Sequence, residues 1–517
     1  MKLVTAAQMQ AIEQSSIEAG VSLDDLMENA GLAVAEAVRD DLGNHSELFG
    51  TRILILIGPE NNGADGFVAG RHLATWGAKV TAIMCAARKL PDPKRDLAEE
   101  AGVVVEDGLI DSDHESLRQI LTTSDLVIDA VLGTGASRPI VEPLASLLFT
   151  VLESAVPIIA LDLPTGLNSD TGEFDVAGLP AEKTLMLGYS KIGPALSGDF
   201  TVTGESTVLD IGIPPGLDSQ ATTQLITADL AADLHPERPT GGHKGTFGSA
   251  AIIGGSKDYL GAVTMATDAA TRSGAGLTFV ATPQPAYELI AGQIPEAMYR
   301  PLATTDDGDL FPTEAAKTSL ELANLATSMV IGPGLGTHSS TTEFLHILLS
   351  QLEITQPIVI DADALNILAT TYRWWERCAQ PAILTPHPGE MARLMGVSTG
   401  EVQANRKSIA LEAAQKFNKI VVLKGAATLV ASPDGRLNIS PWVNSGLAKG
   451  GSGDVLAGLL GGLVAQQPDD LFEMASLAVF IHGYAADSAR DELGETGMRS
   501  TDVIKRLGHF YRDAIQI

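Results

Sequence analysis

The stretch that decides the fold of the first half of the chain is residues 52–75, RILILIGPENNGADGFVAGRHLAT. Its apolar start predicts a buried strand over Arg52–Ile57, and its end predicts a helix over Phe67–Thr75. We expect Gly58–Gly66 to form a glycine-rich loop, in which the backbone approaches a ligand closely and the helix N-terminus offers free N–H groups to a phosphate. A strand, a glycine-rich loop and a helix in this order are typical of a parallel α/β sheet.

The same alternation of short apolar runs and helical patterns continues along the 517 residues of the chain. Two amphipathic helices with Thr5 and Ser22 as N-caps precede the first strand. The predicted strands of the first half are Arg52–Ile57, Val80–Met84, Asp125–Asp129 and Pro157–Asp162. Those of the second half are Ala250–Ile253, Leu277–Ala281, Ser328–Ile331, Pro357–Asp361, Ala382–Thr385 and Ile420–Lys424. Because the segment Ile213–Gln224 between the halves reads as a linker, we predict two α/β domains, residues 1–220 and 225–517.

The composition excludes several classes of partner. The chain carries 34 Lys and Arg against 64 Asp and Glu, a net charge of −30, which argues against nucleic acid or an anionic membrane as the main partner. No apolar run approaches the length of a transmembrane helix. The two cysteines, Cys85 and Cys378, lie too far apart for a disulfide scaffold and fit a cytoplasmic protein.

Polar side chains follow three predicted strands of the first domain, at the edge where open parallel sheets bind ligands. Asn62 follows the first strand, Asp129 ends the next and is followed by Gly133–Gly135, and Asp162 ends a third, followed by Thr165. Each of these alone is typical of a capped turn, but three together favour a site. The oxygen donors of Asn62, Asp129 and Thr165 suit a hard cation, because no histidine or cysteine accompanies them.

The most informative segment of the second domain is Gly446–Gly458, GLAKGGSGDVLAG. We expect a helix to begin near Asp454, so that the N–H groups of Gly451, Ser452 and Gly453 converge on an anion. Asp454 would then accept a proton from a substrate hydroxyl while this anion hole neutralises phosphate charge. The alternative is a glycine-rich helix entry in which Asp454 is a simple cap.

Four further segments of the second domain follow predicted strands and favour a site there. They are GPGLG at 332–336, DADA at 361–364, TPHPGE at 385–390 and KGAAT at 424–428. Lys424 places a cation where a nucleotide phosphate would lie. A lone histidine such as His387 is more often a hydrogen-bonded loop residue than a base. Neither a Walker A motif nor a GxGxxG motif is present in the chain.

Residues 1–215 resemble the NAD(P)H-hydrate epimerases. The segments that carry the resemblance, in order, are SLDDLMENAG (22–31), NNGADGFVAGRHL (61–73), DAVLGTG (129–135) and DLPTGLNSDTG (162–172). It implies a Rossmann-like α/β/α sandwich that interconverts the R and S hydrates of NADH or NADPH and holds a potassium ion.

By this resemblance, Asn62, Asp129 and Thr165 hold the potassium ion, and Asp162 is the candidate acid/base. The implied substrate contacts are Asn61, Asn62, Gly63, Ala64, Asp65, Gly133, Thr134, Gly135, Ala136, Ser137, Arg138, Pro139 and Asp162. Two residues depart from the family pattern. Ala64 replaces a usual glycine, and since alanine restricts positive φ we expect a slightly altered loop; Thr165 replaces a usual serine and keeps the oxygen ligand.

Residues 228–517 are similar to the ribokinase-like ADP-dependent NAD(P)H-hydrate dehydratases, through GGHKGTFG (241–248), IIGGSKDYLGA (252–262), the four segments at 332–336, 361–366, 385–390 and 424–428, and AKGGSGDVLAG (448–458). The resemblance implies a ribokinase-like α/β domain with Asp454 as catalytic base and substrate contact. The implied nucleotide contacts are Lys424, Gly425, Ala426, Ala427, Thr428 and Gly453, and the other implied hydrate contacts are Ala262, Gly334, Gly336 and His387. Mg²⁺ would accompany ADP, with Glu390 helping to organise it.

The two resemblances together imply a homo-oligomer that epimerises the hydrates and dehydrates the S form at the expense of ADP, giving AMP and phosphate. Two alternatives stay open. The second domain is otherwise a ribokinase-like kinase of a small alcohol fused to a nucleotide-binding domain, because the same base and anion hole serve both chemistries. The first domain is otherwise a regulatory nucleotide-binding module without catalysis.

Overall fold

The computed structural model describes residues 1–43, 48–110, 113–135, 138–350 and 356–514. The chain forms two compact units, Lys2–Thr223 and Gln224–Ile517, the second joined by Met1. The division lies at the end of the segment whose composition predicts a linker. Each unit has a parallel sheet with helices packed on it, so the prediction of two α/β domains is confirmed.

The first unit is built on a sheet of seven parallel strands in the order β4-β3-β2-β5-β6-β7-β9. These strands are β2 (Arg52–Ile57), β3 (Lys79–Met84), β4 (Val104–Asp107), β5 (Leu126–Ala130), β6 (Ile158–Leu161), β7 (Lys183–Leu187) and β9 (Glu205–Leu209). A separate short pair, β1 (Lys2–Val4) and β8 (Ser190–Lys191), is also parallel. The order reverses direction at β2, which is where such sheets bind ligands.

Helices cover both faces of this sheet. They are α1 (Ala6–Glu18), α2 (Leu23–Asp41), α3 (Asn61–Thr75), α4 (Pro93–Glu100), α5 (Glu115–Leu121), α6 (Leu144–Glu153) and α7 (Ile192–Ser197). Ile53, Ile55 and Ile57 pack with α1, α2 and α3, whereas Leu54 and Leu56 pack with α5 and α6. Because alternate residues of one strand face the two layers, the unit is the expected α/β/α sandwich.

The second unit contains a sheet in the order β13-β12-β11-β14-β15-β16-β17-β18-β19, parallel except for the antiparallel pairs of β17 with β18 and β18 with β19. Its strands are β11 (Ser249–Ile253), β12 (Leu277–Pro283), β13 (Ala297–Leu302), β14 (Ser328–Ile331), β15 (Ile358–Ile360), β16 (Ala382–Leu384), β17 (Ile420–Leu423), β18 (Leu429–Ala431) and β19 (Leu437–Ile439). A short strand, β10 (Thr223–Leu225), lies at the division between the units.

Helices α9, α17, α18 and α19 pack against one apolar face of this sheet. The helices of the unit are α8 (Ala228–Asp233), α9 (Leu260–Arg272), α10 (Gln284–Ile290), α11 (Pro312–Ala323), α12 (Ser339–Ser350), α13 (Ala362–Ala369), α14 (Pro388–Met395), α15 (Thr399–Ala404), α16 (Arg406–Phe417), α17 (Ser452–Gln466), α18 (Leu471–Gly497) and α19 (Ser500–Ala514). None of the described helices is both long enough and apolar enough to cross a membrane.

One predicted loop is wrong. The residues Asn61–Gly66 do not form a glycine-rich loop but the first turns of α3, which begins at Asn61. The reason is close packing of this helix on the sheet. A Cβ atom on Gly66 would lie 2.7 Å from the Cβ of Ala130, and one on Gly70 would lie 3.0 Å from the Cδ1 of Ile55. The glycines therefore let a helix approach the strands, rather than letting the backbone bend.

Candidate active sites

A cavity of about 460 Å³ lies beyond the carboxyl ends of β2, β5 and β6 in the first unit. Of the residues predicted for this site, the structure brings together Asn61, Asn62, Asp65, Gly133, Thr134, Gly135 and Asp162. Glu13, Glu60 and Lys191 also line the cavity, although the sequence pattern gave no reason to select them. The site is therefore more highly charged than the motifs indicate.

The carboxylate of Asp162 is held by four donors. Lys191 forms a buried ion pair with its Oδ1, which also accepts a hydrogen bond from the Leu187 N–H at 3.2 Å. Its Oδ2 accepts bonds from the N–H, at 3.2 Å, and the hydroxyl of Thr134. Asp162 has a left-handed φ of 67°, a conformation that is sparsely populated and concentrates at functional sites.

These contacts keep Asp162 ionised. Burial acts to raise the pKa of Asp162, but the charge of Lys191 and the hydrogen bonds outweigh it, so that the pKa lies below its ordinary value. Lys191 is itself only 1% exposed and also donates to the Leu187 carbonyl at 3.0 Å. With every acceptor direction in use, Asp162 has the geometry of a fixed anion rather than of a proton carrier.

The predicted potassium ligands include a buried negative charge with no positive partner among the described residues, which a monovalent cation would balance. Asp129 is fully buried, and its partners in the described part of the chain are neutral: the N–H and hydroxyl of Thr165, at 2.7 Å each, and the Val131 N–H at 3.1 Å. Burial raises the pKa of Asp129 to about 6 despite these hydrogen bonds. A cation bound by Asp129, Thr165 and Asn62 would supply the missing positive charge, and all three offer the oxygen donors that such an ion prefers.

The remaining residues predicted for the first site are placed differently. Gly63 and Ala64 are buried within α3 and do not line the cavity, and Arg138 and Pro139 are exposed outside it. Ala136 and Ser137 lie outside the described residues. The expectation of an altered loop at Ala64 is wrong, because this residue is helical and alanine suits a helix.

Arg88, which the sequence pattern did not reveal, holds the turn that leads into α3. Its guanidinium donates to the carbonyl oxygens of Gly58 at 2.6 Å and Glu60 at 2.8 Å, and Asp92 binds its Nε at 2.6 Å. A Cβ atom on Gly63 would lie 2.6 Å from the Nη1 of Arg88 and 2.2 Å from the Gly58 oxygen, so only glycine fits beneath this contact. Arg88 is thus a positioning residue for Asn61 and Asn62.

Replacing Arg88 by alanine is expected to raise the KM of the first-domain substrate by about 10-fold while changing kcat less, because hydrogen bonds from a charged donor are each worth roughly 1.5–3 kcal/mol. Arg88→Lys should recover part of the loss. Steady-state kinetics measure the split between KM and kcat. Arg95→Ala is the matched control, because the ion pair that Arg95 forms among the described residues is with Glu99 on the surface of α4. An unchanged KM in Arg88→Ala would contradict the positioning role.

The second site centres on the N-terminus of α17, which begins at Ser452 and so close to Asp454, as predicted. Gly451 is the N-cap with a φ of 97°, a left-handed conformation that favours glycine. A Cβ atom on Gly453 would lie 3.2 Å from the Nζ of Lys424, so the ammonium lies beside this helix terminus. The structure therefore brings together the predicted base, the predicted anion hole and the predicted cation.

Lys424 anchors a network of carboxylates. Its Nζ lies 2.9 Å from the Oδ1 of Asp361 and 3.8 Å from the Oε2 of Glu390. The Thr385 hydroxyl donates to the same Oδ1 at 2.6 Å. Burial acts to lower the pKa of Lys424, but the carboxylates raise it by more than burial lowers it. The pKa of Lys424 is therefore above its ordinary value, and Lys424 stays charged.

Asp454 lies at the edge of this network. Burial, followed by the negative charge of Asp361, raises the pKa of Asp454 to about 7, although Lys424 opposes the shift. A carboxylate whose pKa lies near neutral pH takes up and releases a proton readily, which is the property of a general base. Asp454 thus has the electrostatic setting that a general base requires.

Of the predicted hydrate contacts, Gly336 lines a second cavity of about 240 Å³ together with Asp363, whereas Ala262, Gly334 and His387 do not line it. The Gly336 N–H donates to the Oδ2 of Asp363 at 2.8 Å. A Cβ atom on Gly334 would lie 3.0 Å from the Cβ of Ala262, so these two residues are neighbours. His387 is the N-cap of α14: its Nδ1 accepts from the Gly389 N–H at 3.0 Å, and its Nε2 lies 3.5 Å from Glu390.

Arg406, which the motifs did not indicate, shapes the KGAAT segment. Its guanidinium donates to the carbonyl oxygens of Leu423, Lys424 and Ala427 at 3.3–3.4 Å. Gly425 has a φ of 141°, and a Cβ atom there would lie 2.6 Å from the Nη1 of Arg406. Arg406 thereby fixes the loop that carries Gly425, Ala426, Ala427 and Thr428.

The donor set of the second site fits Mg²⁺ held mainly by a nucleotide. Across the described ranges, no group of three or more His, Cys, Asp or Glu residues forms a metal cluster. Asp361 and Glu390 offer hard carboxylate oxygens beside Lys424. Magnesium is usually bound by one or two carboxylates together with substrate phosphates and water, rather than by an all-protein cage.

Two family models match the chain, one in each unit. The model described as YjeF-related protein N-terminus matches residues 23–193, and the model described as NAD(P)H-hydrate dehydratase matches residues 250–508. Each match contains the residues that the sequence predicted for one of the two sites. A relative that matches the whole chain is therefore similar to it at both sites.

Curated relatives cover nearly the whole chain. The bifunctional NAD(P)H-hydrate repair enzyme Nnr of Moorella thermoacetica is 35% identical over 99% of this chain and 97% of the relative. The enzyme of the same name from Escherichia coli is 33% identical over 94% of this chain and 89% of the relative. A solved structure of the ADP/ATP-dependent NAD(P)H-hydrate dehydratase from Bacillus subtilis, co-crystallised with ATP and Mg²⁺, is 31% identical and covers 56% of this chain and 98% of its own, with a TM-score of 0.49.

Proposed function

The chain belongs to the family of bifunctional NAD(P)H-hydrate repair enzymes, and on that premise we propose that its two sites catalyse two different steps of repair. We assign the interconversion of the R and S hydrates of NADH and NADPH to residues 1–220. We assign the ADP-dependent dehydration of the S hydrate to residues 225–517. The observation that carries the proposal is Asp454, a carboxylate with a pKa near neutral, beside Lys424 and a helix N-terminus.

In the second domain, Asp454 accepts the proton of the C6 hydroxyl of the hydrate. The oxygen then attacks the terminal phosphoryl group of ADP, and AMP leaves. Lys424 and the N–H groups of Gly451–Gly453 neutralise the charge that develops on the phosphoryl oxygens, which is the main contribution a protein makes to phosphoryl transfer. The lone pair of the ring nitrogen then expels phosphate from C6 to form a C6=N1 double bond, and loss of a proton from C5 to solvent restores the dihydronicotinamide.

The other residues of this domain bind and orient. Lys424, Gly453 and the segment Gly425, Ala426, Ala427 and Thr428 contact the nucleotide. We assign the hydrate contacts to Ala262, Gly334, Gly336 and His387; the support is that Gly336 lines the second cavity and that Gly334 lies beside Ala262. Bound Mg²⁺ supplies charge neutralisation on the ADP phosphates, and Asp361 and Glu390 would hold it.

In the first domain, Asn61, Asn62, Asp65 and the loop Gly133–Pro139 contact the hydrate, and Asp162 belongs to the catalytic machinery. Gly63 and Ala64 support this surface from within α3. Bound K⁺ would balance the charge of Asp129 and order the loops, held by Asn62, Asp129 and Thr165. Because dehydration takes the S hydrate alone, epimerisation feeds the R hydrate into the same repair.

We also propose that the protein works as a homo-oligomer in the cytoplasm. The support for the compartment is that both cysteines are free and buried, which suits a reducing environment. Light scattering coupled to size-exclusion chromatography measures the oligomeric state.

The proposed function is tested by incubating a mixture of R and S hydrates with ADP and Mg²⁺ and following the absorbance of the dihydronicotinamide. We expect recovery to reach completion, with AMP and inorganic phosphate formed in equal amounts. Recovery that stops at the S fraction would contradict the epimerase assignment. A stable phosphorylated product in place of inorganic phosphate would favour the small-molecule kinase instead.

A further inference from the structure

Two carboxyl groups in the cavity of the first unit have no hydrogen-bond or ion-pair partner among the residues that the structure describes. They belong to Glu13 on α1 and Asp65 on α3. Asp65 is 7% exposed, and its Oδ1 is buried without a partner. Since a buried polar group is normally satisfied, the unpartnered Oδ1 of Asp65 requires an explanation, and the partly exposed carboxyl group of Glu13 lines the same cavity.

Asp162 does not provide the proton transfer that inversion at C6 requires. Its two oxygens accept four hydrogen bonds, one of them from the buried ammonium of Lys191. Protonation of Asp162 would break this pair and leave the buried ammonium of Lys191 charged and uncompensated. Another group in the cavity must therefore carry the proton.

We propose that Glu13, with Asp65 as its counterpart, is the acid–base pair of the epimerisation, a role that rests on the proposed activity of this domain. The two carboxyl groups come from different helices and meet at one cavity, so a bound ring can lie between them. Glu13 lies outside the residues that the first family model matches, 23–193.

The bonds change as follows. Glu13 gives its proton to the C6 hydroxyl, the C6–O bond breaks with its electron pair on oxygen, and water leaves. The lone pair of the ring nitrogen forms a C6=N1 double bond, and the fixed anion of Asp162 stabilises the resulting cation. A water molecule then attacks C6 from the opposite face and gives its proton to Asp65. The reverse reaction uses the same two residues in opposite roles.

The surroundings of these groups favour the protonated form of each carboxyl group. Burial raises the pKa of Glu13, Asp162 raises it further, and Lys191 opposes the shift. Burial raises the pKa of Asp65 well above its ordinary value, with further contributions from Asp162 and Glu13 and opposition from Lys94 and Arg88. Glu60 is the other acidic side chain that lines this cavity.

The test is to measure R-to-S exchange in the full chain carrying Glu13→Gln, Glu13→Asp or Asp65→Asn. We expect Glu13→Gln and Asp65→Asn to lower the exchange rate by about 100-fold or more, and Glu13→Asp to recover part of it. Exchange run in ¹⁸O-labelled water should introduce one labelled oxygen at C6 for each inversion. Glu13 has no hydrogen-bond or ion-pair partner in the described part of the chain. The Glu13→Gln variant should therefore melt at no lower temperature than the unaltered protein.

The control is Glu18→Gln, an exposed glutamate on the same helix, which should exchange at the unaltered rate. ADP-dependent dehydration of the pure S hydrate should be unchanged in all variants, since it belongs to the other domain. Exchange by Glu13→Gln at more than half the normal rate, or inversion without labelled oxygen, would overturn this proposal and leave the proposed function intact. Absence of exchange in the unaltered protein would instead overturn the epimerase assignment itself.

Discussion

Replacing Asp454 by asparagine is expected to lower ADP-dependent recovery of NADH from its S hydrate by about 10³-fold, within the range that general bases contribute. Asparagine keeps the shape of the side chain but cannot accept a proton. The anion hole at Gly451–Gly453 and the cation of Lys424 are left in place. Binding of the nucleotide should therefore change little, and the loss should appear in kcat.

The pH dependence gives a second, independent sign of this role. With a pKa of about 7, Asp454 is half ionised near neutral pH, so the dehydration rate of the unaltered protein should rise through pH 7 as Asp454 loses its proton. The raised pKa also means that the folded state binds this proton more tightly than the unfolded state does. Stability is thus lost as pH rises from about 4 to 7, and Asp454→Asn should melt at a higher temperature than the unaltered protein at pH 8.

Asp491→Asn is the matched control for Asp454→Asn, because Asp491 is 72% exposed and, among the described residues, forms its ion pair with Arg490 on the surface of α18. Epimer exchange should be unchanged in both variants. Dehydration by Asp454→Asn at more than a tenth of the normal rate would show that Asp454 is a helix cap without a role as base. Loss of both reactions, with folding intact, would count against two separate sites.

The central strands of both sheets were predictable from the sequence because they are continuous apolar runs. The predictions over Arg52–Ile57 and Ser328–Ile331 agree with β2 and β14 in full, and the predicted N-cap at Thr5 forms. Strands at the edges of the sheets were missed. β4 is half exposed and carries Glu106 and Asp107, and β13 contains Arg300 and Pro301, so neither shows the apolar run of a buried strand.

The candidate sites were predictable where a local motif marks them. Asp162 and Lys424 directly follow strands, and Asp454 lies in the glycine-rich entry to α17. Lys191, at β8, supplies the positive charge that pairs with Asp162, and Glu13, on α1, supplies a carboxyl group without a partner among the described residues. Both lie far along the chain from the motifs that they meet. Local patterns do not reveal long-range pairing of charges, and the same holds for Arg88 and Arg406, which bind backbone carbonyls that have no sequence signature.

The ion pair between Asp162 and Lys191 links the catalytic role of Asp162 to the stability of the first domain. Asp162→Asn is expected to slow R-to-S exchange by about 10²–10³-fold, the usual loss when a fixed charge that stabilises a transition state is removed. It should also destabilise the first domain by about 3–5 kcal/mol, because Lys191 is left buried and uncompensated. Exchange kinetics and thermal melting measure the two effects separately.

The double variant Asp162→Asn with Lys191→Met separates catalysis from folding. Removing both charges of a buried pair is often neutral for stability, so most of the melting temperature should return. The exchange rate should stay low, since the anion that faces the cationic intermediate is still missing. Dehydration of the S hydrate by the same chain reports that the rest of the protein is intact. If the double variant regained normal exchange, Asp162 would be a structural partner of Lys191, and the epimerisation would need no fixed anion at this position.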